Sequence, residues 1–199
     1  MKEKIWMVAL LVIVAFVSAV MLAVINIKTA PIVQRNNEIK LKKGVLEVFN
    51  LDYNDSSLDE VFDNNVDIVE KEEIVYYQLK KKNDQQDNSL IAFKISGPGF
   101  WATIHALIAM QSDYDTIAGI KFLKHEETPG LGGRIDEEWF YSQFKGKKIK
   151  PRLVKVPYDT AKTQNEFDAI TGATETSRSI EKLINNGVNA FCAKLEGLN

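Results

Sequence analysis

Cysteine is nearly absent from this sequence, which contains only one, Cys192, in 199 residues. A single cysteine excludes a disulfide within the chain and any iron–sulfur or zinc cluster built from its own thiolates. The two histidines, His105 and His125, are about twenty residues apart, which is no recognised ligand spacing, so we predict no metal site. Because Cys192 lies on the apolar face of a predicted helix, we expect it to be a core thiol.

An excess of one charge is also missing. The 25 lysines and arginines nearly balance the 27 aspartates and glutamates, and the formal net charge is −2. This balance gives no basis for nucleic-acid binding. The sequence has no nucleophile elbow, no P-loop and no GxGxxG dinucleotide fingerprint. It therefore predicts no site for NAD.

One long hydrophobic run is present near the start of the chain. Residues 5–25 are apolar except for Ser18. As a helix this run would be roughly 31 Å long, close to the thickness of a bilayer core. A cleaved signal peptide is the alternative, with a possible cleavage site at residues 17–19. Because apolar residues continue to Ile25, we predict an uncleaved transmembrane anchor.

The charges around this run bear on its orientation. Two lysines precede it and more basic residues follow it: Lys28, Arg35, Lys40, Lys42 and Lys43. Counted alone, these charges place the following domain on the cytoplasmic side. The rule is weak here, since long domains can be translocated whatever their charge.

The rest of the chain predicts an α+β domain with a mostly antiparallel sheet and flanking helices, because short sequential strand patterns alternate with a few helical ones. Helices are expected at 33–49, in a short segment that begins at the Ser-Leu-Asp-Glu capping box of residues 57–60, at 136–144 and after residue 174. Strands are expected at 74–79, 90–95, 101–110, 117–123 and 149–156, with a turn at 97–99 and a polar loop at 80–88. The predicted organisation is an anchor at 1–28, a membrane-proximal helical and strand segment at 29–88 and a core at 89–199.

A hydroxyl-rich segment opens the last predicted helix. Residues 171–177 read Thr-Gly-Ala-Thr-Glu-Thr-Ser, and apolar residues follow at intervals of three and four. Thr174 is the expected N-cap, which makes Thr176 the second helical residue, beside unpaired backbone N–H groups that accept a phosphate readily. Gly172 and Ala173 are small enough for a ligand to approach the backbone. An ordinary capped helix without a ligand is the alternative.

A second motif lies at residues 125–133, which read His-Glu-Glu-Thr-Pro-Gly-Leu-Gly-Gly. Pro129 and Gly130 fit the central pair of a type II turn, and a turn with no ligand is the alternative. A glycine-rich loop also exposes backbone N–H donors at Gly130 and Gly132, beside the apolar side chain of Leu131. The motif is therefore a second candidate for ligand binding.

These two motifs, in this order, resemble those of the FMN-binding domain family. The pattern Ser/Thr-Gly-Ala-Thr-x-Thr is the family's flavinylation motif, here preceded by residues 168–170, and His-x-Glu-Thr-Pro-Gly-Leu-Gly matches from His125 to Gly132. Gly-Pro-Gly-Phe-Trp at 97–101 and the segment at 139–147 fit as well. The resemblance covers about residues 90–190 and the single anchor.

In that family the last threonine of the flavinylation motif carries FMN through a phosphoester bond, which implies covalent FMN on Thr176. The resemblance implies that the isoalloxazine ring lies near the loop at 125–132, where nearby donors, among them the His125 region, would favour the anionic reduced forms of the flavin. The other cofactor-binding residues expected on this basis are Gly172, Ala173, Thr174, Ser177, Glu127, Thr128, Gly130, Leu131 and Gly132.

The family includes the G subunit of the Rnf ferredoxin:NAD oxidoreductase complex and the C subunit of the sodium-pumping NADH:quinone reductase. The chain's length favours an Rnf-type electron-transfer subunit, with the quinone-reductase subunit as the alternative. The resemblance implies partners among the other membrane and iron–sulfur subunits of such a complex, and a flavin transferase that uses FAD. It places the domain outside the cytoplasm, against the charge count. A membrane-tethered binding or sensory module without covalent flavin, and a protein that binds FMN reversibly, are the remaining alternatives.

Overall fold

The structure is a computed structural model of the chain and describes residues 2–72, 74–80 and 90–197. It divides into two compact units, Met1–Lys40 and Leu41–Asn199. The elements in chain order are α1 (Lys2–Val48), α2 (Leu58–Asn65), β1 (Val66–Lys71), β2 (Ile74–Leu79), β3 (Ile91–Pro98), β4 (Thr103–Met110), β5 (Ile117–Lys124), a 3₁₀ helix (Gly132–Asp136), α3 (Glu138–Ser142), β6 (Val154–Val156), β7 (Glu166–Asp168) and α4 (Thr174–Glu196).

The first unit consists of the greater part of α1. Within the described ranges, α1 alone is long and apolar enough to cross a membrane. Its large apolar side chains are exposed from Ile5 to Val33, as expected for a surface that faces lipid. This helix fits the predicted single-pass anchor. The helix predicted at 33–49 is confirmed as its continuation, and Pro31 lies inside it.

The second unit is built on a five-stranded sheet in the order β1-β2-β3-β4-β5, with every neighbouring pair antiparallel. The predicted α+β class is therefore confirmed. The strands predicted at 74–79, 90–95, 101–110 and 117–123 correspond to β2 through β5. The polar loop predicted at 80–88 falls, apart from Lys80, outside the described residues.

Helix α4 covers one face of the sheet. Phe191 of α4 stacks on Phe93 of β3, with ring centroids 3.6 Å apart and planes within 5° of parallel. The helix also approaches β3 closely at Gly187, where a Cβ atom would lie 2.6 Å from Cγ2 of Ile95. Because a side chain at this position would push the helix off the strand, Gly187 fixes how closely the two elements pack.

The last turn of α1 packs on the opposite face of the sheet, within the second unit. Val45 and Leu46 are fully buried. Strand β5 passes so close that a Cβ atom on Gly119 would lie 3.0 Å from the carbonyl oxygen of Val48. The sheet is therefore covered by a helix on each face.

Four local predictions were wrong. Strand β3 continues through the predicted turn at 97–99, and the chain reverses at 99–102 instead, where the N–H of Gly99 donates to the carbonyl of Ala102 at 2.8 Å. The segment 136–144 forms the end of a 3₁₀ helix and then α3, whose N-cap is Glu137 and not Asp136. Only Val154–Val156 of the strand predicted at 149–156 forms, and it pairs in parallel with β7.

The fourth concerns the capping box before α2. The helix itself is confirmed, but Ser57 makes no side-chain capping bond to it. Its hydroxyl instead accepts a hydrogen bond from the N–H of Asn54 at 3.1 Å. The sequence pattern predicts that Ser57 caps the helix, but its hydroxyl stabilises the preceding turn instead.

Candidate functional site

The loop after β5 begins with the predicted tight turn. The carbonyl oxygen of Thr128 accepts hydrogen bonds from the N–H groups of Leu131 at 3.1 Å and Gly133 at 2.9 Å. Gly130 has a φ of +73°, the left-handed value that the third position of a type II turn requires. A Cβ atom there would meet nothing within 4 Å, so Gly130 faces open space.

The start of α4 differs from the predicted one by one residue. The helix begins at Thr174, and its N-cap is Ala173, so Thr174 is not the cap and Thr176 is the third helical residue instead of the second. Thr174 is exposed, whereas Thr176 is buried with only 3% of its surface exposed. Thr176, which we expected to be the FMN attachment residue at an accessible helix end, is therefore buried.

Ser177 explains why the helix begins there. Its hydroxyl donates to the carbonyl of Ala173 at 2.9 Å and accepts from the N–H of Ile170 at 3.0 Å. The Ser177 side chain therefore connects the segment before α4 to the first turn of the helix. Gly172, with a φ of +79°, makes the bend between them. Ser177 is fully buried, and its contacts are structural.

Thr176 and Glu127 connect the two sequence motifs. The Thr176 hydroxyl donates to Oε2 of Glu127 at 2.6 Å. The other carboxylate oxygen, Oε1, accepts from the backbone N–H groups of Phe100 at 2.8 Å and Trp101 at 3.2 Å. Glu127 is only 4% exposed. Three donors thus offset the cost of burying a carboxylate and hold it in one orientation.

Two glycines leave the space that this carboxylate occupies. A Cβ atom on Gly99 would lie 2.5 Å from Oε1 of Glu127, and one on Gly132 would lie 2.8 Å from Oε2. The Cβ atom on Gly132 would also collide with Oγ1 of Thr176. The backbone at Gly132 therefore lies directly over the Thr176 hydroxyl.

Apolar side chains are exposed around this buried pair. Phe100 and Trp101 are 55% and 66% exposed, and their rings meet edge to face at 5.1 Å. Leu131 is 45% exposed and lies against the backbone at Gly172, where a Cβ atom would be 3.3 Å from its Cδ2. Exposed aromatic and aliphatic surface beside polar backbone is typical of a site for a flat ligand.

His125 supports the loop through hydrogen bonds to two other residues. Its Nδ1 accepts the N–H of Glu127 at 3.2 Å, which places the ring proton on Nε2, and Nε2 lies 2.9 Å from the Asp136 carboxylate. Asp136 thus orients a histidine where we predicted a helix cap. Further along, the Trp139 indole N–H donates to the Glu137 carboxylate and, together with Arg134, lowers the pKa of that carboxyl.

Two other features of the described residues lie apart from this pair. His105 is hydrogen-bonded to Ser96 at 2.7 Å, and no group of three possible metal ligands occurs within residues 2–72, 74–80 and 90–197. A cleft of about 220 Å³ near the end of α4 is lined by Asp113, Tyr114, Lys150, Cys192, Leu195 and Glu196. It contains none of the predicted site residues. Cys192 is half-buried there, and burial raises the pKa of its thiol.

The structure therefore brings some of the predicted residues together and not others. Thr176, Glu127, Gly132, Leu131 and Gly172 meet at one place, while Thr128 and Gly130 lie at the exposed end of the loop. The prediction omitted the turn at 99–102, although its residues were part of the recognised pattern. A signal was present: two adjacent aromatic residues directly after a glycine turn.

Residues 99–189, which contain the whole of this arrangement, match the FMN-binding domain family. The match covers just under half of the chain. The proteins to which this chain is similar include the C subunit of the Na⁺-translocating NADH-quinone reductase. The Pseudomonas aeruginosa protein is 32% identical over 115 residues, which are 51% of this chain and 44% of that protein. The Vibrio vulnificus protein is 34% identical over 125 residues, 56% of this chain and 49% of that protein.

The chain thus spans about half the length of the curated relatives it matches. Two solved structures share the fold of most of this chain. The reductase's C subunit from Parabacteroides distasonis has a TM-score of 0.66 and 24% identity, over 80% of this chain and 93% of that one. NqrC from Shewanella oneidensis has a TM-score of 0.67 and 19% identity, over 82% and 99%.

Proposed function

We propose that this protein is a membrane-anchored electron-transfer subunit whose FMN is linked through its phosphate to Thr176. The observation that carries the proposal is the placement of this hydroxyl in the first turn of α4, beneath the backbone of Gly132 and within an FMN-binding domain. The N-terminus of a long helix favours a phosphate, because its N–H groups and dipole point toward it.

The surroundings of Thr176 fit the remainder of the cofactor. Leu131, Phe100 and Trp101 provide exposed apolar surface for a flat ring. The N–H groups of Leu131 and Gly133 are bonded within the loop, so we expect those of Gly130 and Gly132 to face the polar edge of the ring. Bound FMN would supply the redox chemistry, while this chain's residues hold it and set its surroundings. Gly172, Ala173 and Thr174 would lie beside the phosphate, and Thr128, Gly130 and Gly132 beside the ring.

The anchor would keep the domain at the membrane surface, at high effective concentration near its partners. We place the domain outside the cytoplasm, where a covalent bond would prevent loss of the cofactor. The basic residues after the anchor favour the opposite side, and topology therefore needs its own measurement.

Two complexes could contain such a subunit, and the named relatives favour one of them. The homologues are C subunits of a Na⁺-translocating NADH-quinone reductase, so we propose that type of complex first and an Rnf-type complex second. In either case the partners would be other membrane and redox subunits, and a flavin transferase would attach the FMN. Subunits that co-purify with the tagged protein would distinguish the two complexes.

The second candidate is a domain that binds FMN reversibly and has no covalent bond. It is favoured by one observation: the Thr176 hydroxyl already has a hydrogen-bond partner and is buried. In that case the hydroxyl would simply connect α4 to the loop.

A denaturing gel viewed under ultraviolet light separates these functions, because only a covalent flavin remains with the protein band. The full chain is produced together with a flavin transferase, alongside Thr176→Ala and the control Ser179→Ala, which removes another hydroxyl of α4 that the proposal does not use. We expect fluorescent bands for the wild type and for Ser179→Ala and none for Thr176→Ala. Absence of fluorescence from the wild type would favour reversible binding.

A further inference from the structure

Glu127 is placed to act on the Thr176 hydroxyl. Its Oε2 atom accepts the proton of that hydroxyl in a 2.6 Å hydrogen bond, between two side chains that are both at least nine-tenths buried. Its Oε1 atom is fixed separately by the N–H groups of Phe100 and Trp101. One oxygen thus holds the carboxylate in place, and the other faces the atom that would be modified.

Resting on the proposed function, we propose that Glu127 is the general base that removes the proton from Thr176 when FMN is attached. The donor is a flavin dinucleotide such as FAD. Oγ1 of Thr176 forms a bond to the FMN phosphorus, the bond between the two phosphates breaks, and the adenosine monophosphate part leaves with its electron pair. The hydroxyl proton passes to Oε2 of Glu127 and stays there in the product.

The charges at the site support this assignment. The new ester is a phosphodiester and carries one negative charge at the position of the Thr176 hydroxyl. An ionised Glu127 would have lost its hydroxyl donor and would face that charge in a buried place, which is costly. Accepting the proton removes the repulsion as the bond forms, so the buried carboxylate favours the product.

The groups that face Glu127 leave few other sources or acceptors of a proton. The turn at 99–102 contributes backbone N–H groups, the 3₁₀ helix contributes Gly132, and α4 contributes the Thr176 hydroxyl. His125 accepts the Glu127 N–H and is oriented by Asp136. Among these contacts, the carboxylate is the group that touches the reacting oxygen.

Attachment requires the Thr176 hydroxyl to become accessible, because Thr176 is only 3% exposed and the backbone at Gly132 lies against its Oγ1 atom. The N–H groups of Phe100 and Trp101 hold the carboxylate from a different segment.

The experiment compares Glu127→Gln with Glu126→Gln, the exposed neighbouring carboxylate. Glutamine has the same shape as glutamate and can accept both backbone N–H groups, but it cannot take the proton. The apo full chain is incubated with transferase and FAD, and the initial rate of mass gain at Thr176 is measured. We expect Glu127→Gln to be slower by about 100-fold or more, as for loss of a general base, and Glu126→Gln to remain within about twofold of wild type.

A second variant of Glu127 separates proton transfer from mere positioning. Glu127→Asp keeps a carboxylate on a shorter side chain and should recover part of the rate that Glu127→Gln loses. Equal rates for Glu127→Gln and Glu126→Gln, or a Glu127→Asp rate no higher than that of Glu127→Gln, would overturn the proposal. If Glu127→Gln does not fold, Glu127→Asp is compared with Glu126→Gln directly, and equal rates for those two variants would again overturn the base role. Absence of mass gain in both wild type and Glu126→Gln would instead refute the proposed function.

Discussion

The hydroxyl of Thr176 donates a hydrogen bond to Oε2 of Glu127, and the two oxygens are 2.6 Å apart. The two residues are 49 positions apart in the chain and belong to different sequence motifs. This hydrogen bond links the first turn of α4 to the loop after β5. The residue proposed to carry the cofactor therefore also stabilises the fold before any cofactor is attached. Variants of Thr176 must be interpreted with both roles in mind.

Thr176→Ala should destabilise the apo protein, because it leaves one oxygen of the buried Glu127 carboxylate without its donor. We expect a loss of about 1–3 kcal/mol in the free energy of unfolding. Thr176→Ser keeps a hydroxyl at the same place and is the matched control. Thermal or urea unfolding of the detergent-solubilised apo chains would measure the difference. Equal stability of the two variants would show that the hydrogen bond contributes nothing measurable.

Gly132→Ala should damage both the fold and cofactor attachment. Its Cβ atom would collide with Oγ1 of Thr176 and lie 2.8 Å from Oε2 of Glu127, so the loop or α4 must shift. We expect a destabilisation of about 1–3 kcal/mol and a lower yield of covalent flavin. Gly133→Ala is the neighbouring control, since the nearest atom to its Cβ would be the carbonyl oxygen of Thr128, at 3.2 Å. Equal stability and equal flavin yield in the two variants would show that the close packing at Gly132 affects neither.

Gly187→Ala tests the close approach of α4 to β3. Its methyl group would lie 2.6 Å from Cγ2 of Ile95, and relieving this contact by moving the helix should cost about 1–3 kcal/mol. Ile95→Ala removes Cγ2 but keeps Cβ, which would lie 2.7 Å from the new methyl group, so it relieves the contact only in part. The double variant should still be more stable than the sum of the single effects implies. A double-mutant cycle by urea unfolding measures the coupling. Strictly additive effects would contradict the packing described here.

The side of the membrane can be tested with a cysteine at Ser142, which is exposed in α3. Burial raises the pKa of the Cys192 thiol, so the reactive thiolate is scarcer at neutral pH and background labelling at Cys192 should be slow, increasing as the pH rises. Ser142→Cys should react with an impermeant maleimide in intact cells if the domain is extracytoplasmic. Wild type is the control. Labelling only after lysis would place the domain inside, as the charge count predicts.

The features that periodicity encodes were predictable from the sequence. The apolar residues of α4, among them Ile180, Leu183 and Val188, lie on the buried face as expected. Strand β1 was missed because it is an edge strand whose residues, such as Asp67 and Glu70, are exposed and resemble a loop in composition. Strands of three residues, such as β6 and β7, give too short a pattern to detect.

The site was predictable as two motifs but not as one arrangement. Local rules assign the N-cap to Thr174, because a hydroxyl there can cap a helix. The actual start is fixed by Ser177, whose bonds to Ala173 and Ile170 set the first turn. The contact between the Gly132 backbone and Thr176 is long-range, and no local pattern encodes it.

The most direct test of the account is intact-protein mass spectrometry with fragment mapping of the full chain, produced together with a flavin transferase. The account predicts a mass gain of one FMN less one water, and fragments that place all of this gain on Thr176. An unmodified chain, or a flavin mapped to Thr174 or to any other residue, would contradict the assignment of Thr176 as the cofactor's attachment site.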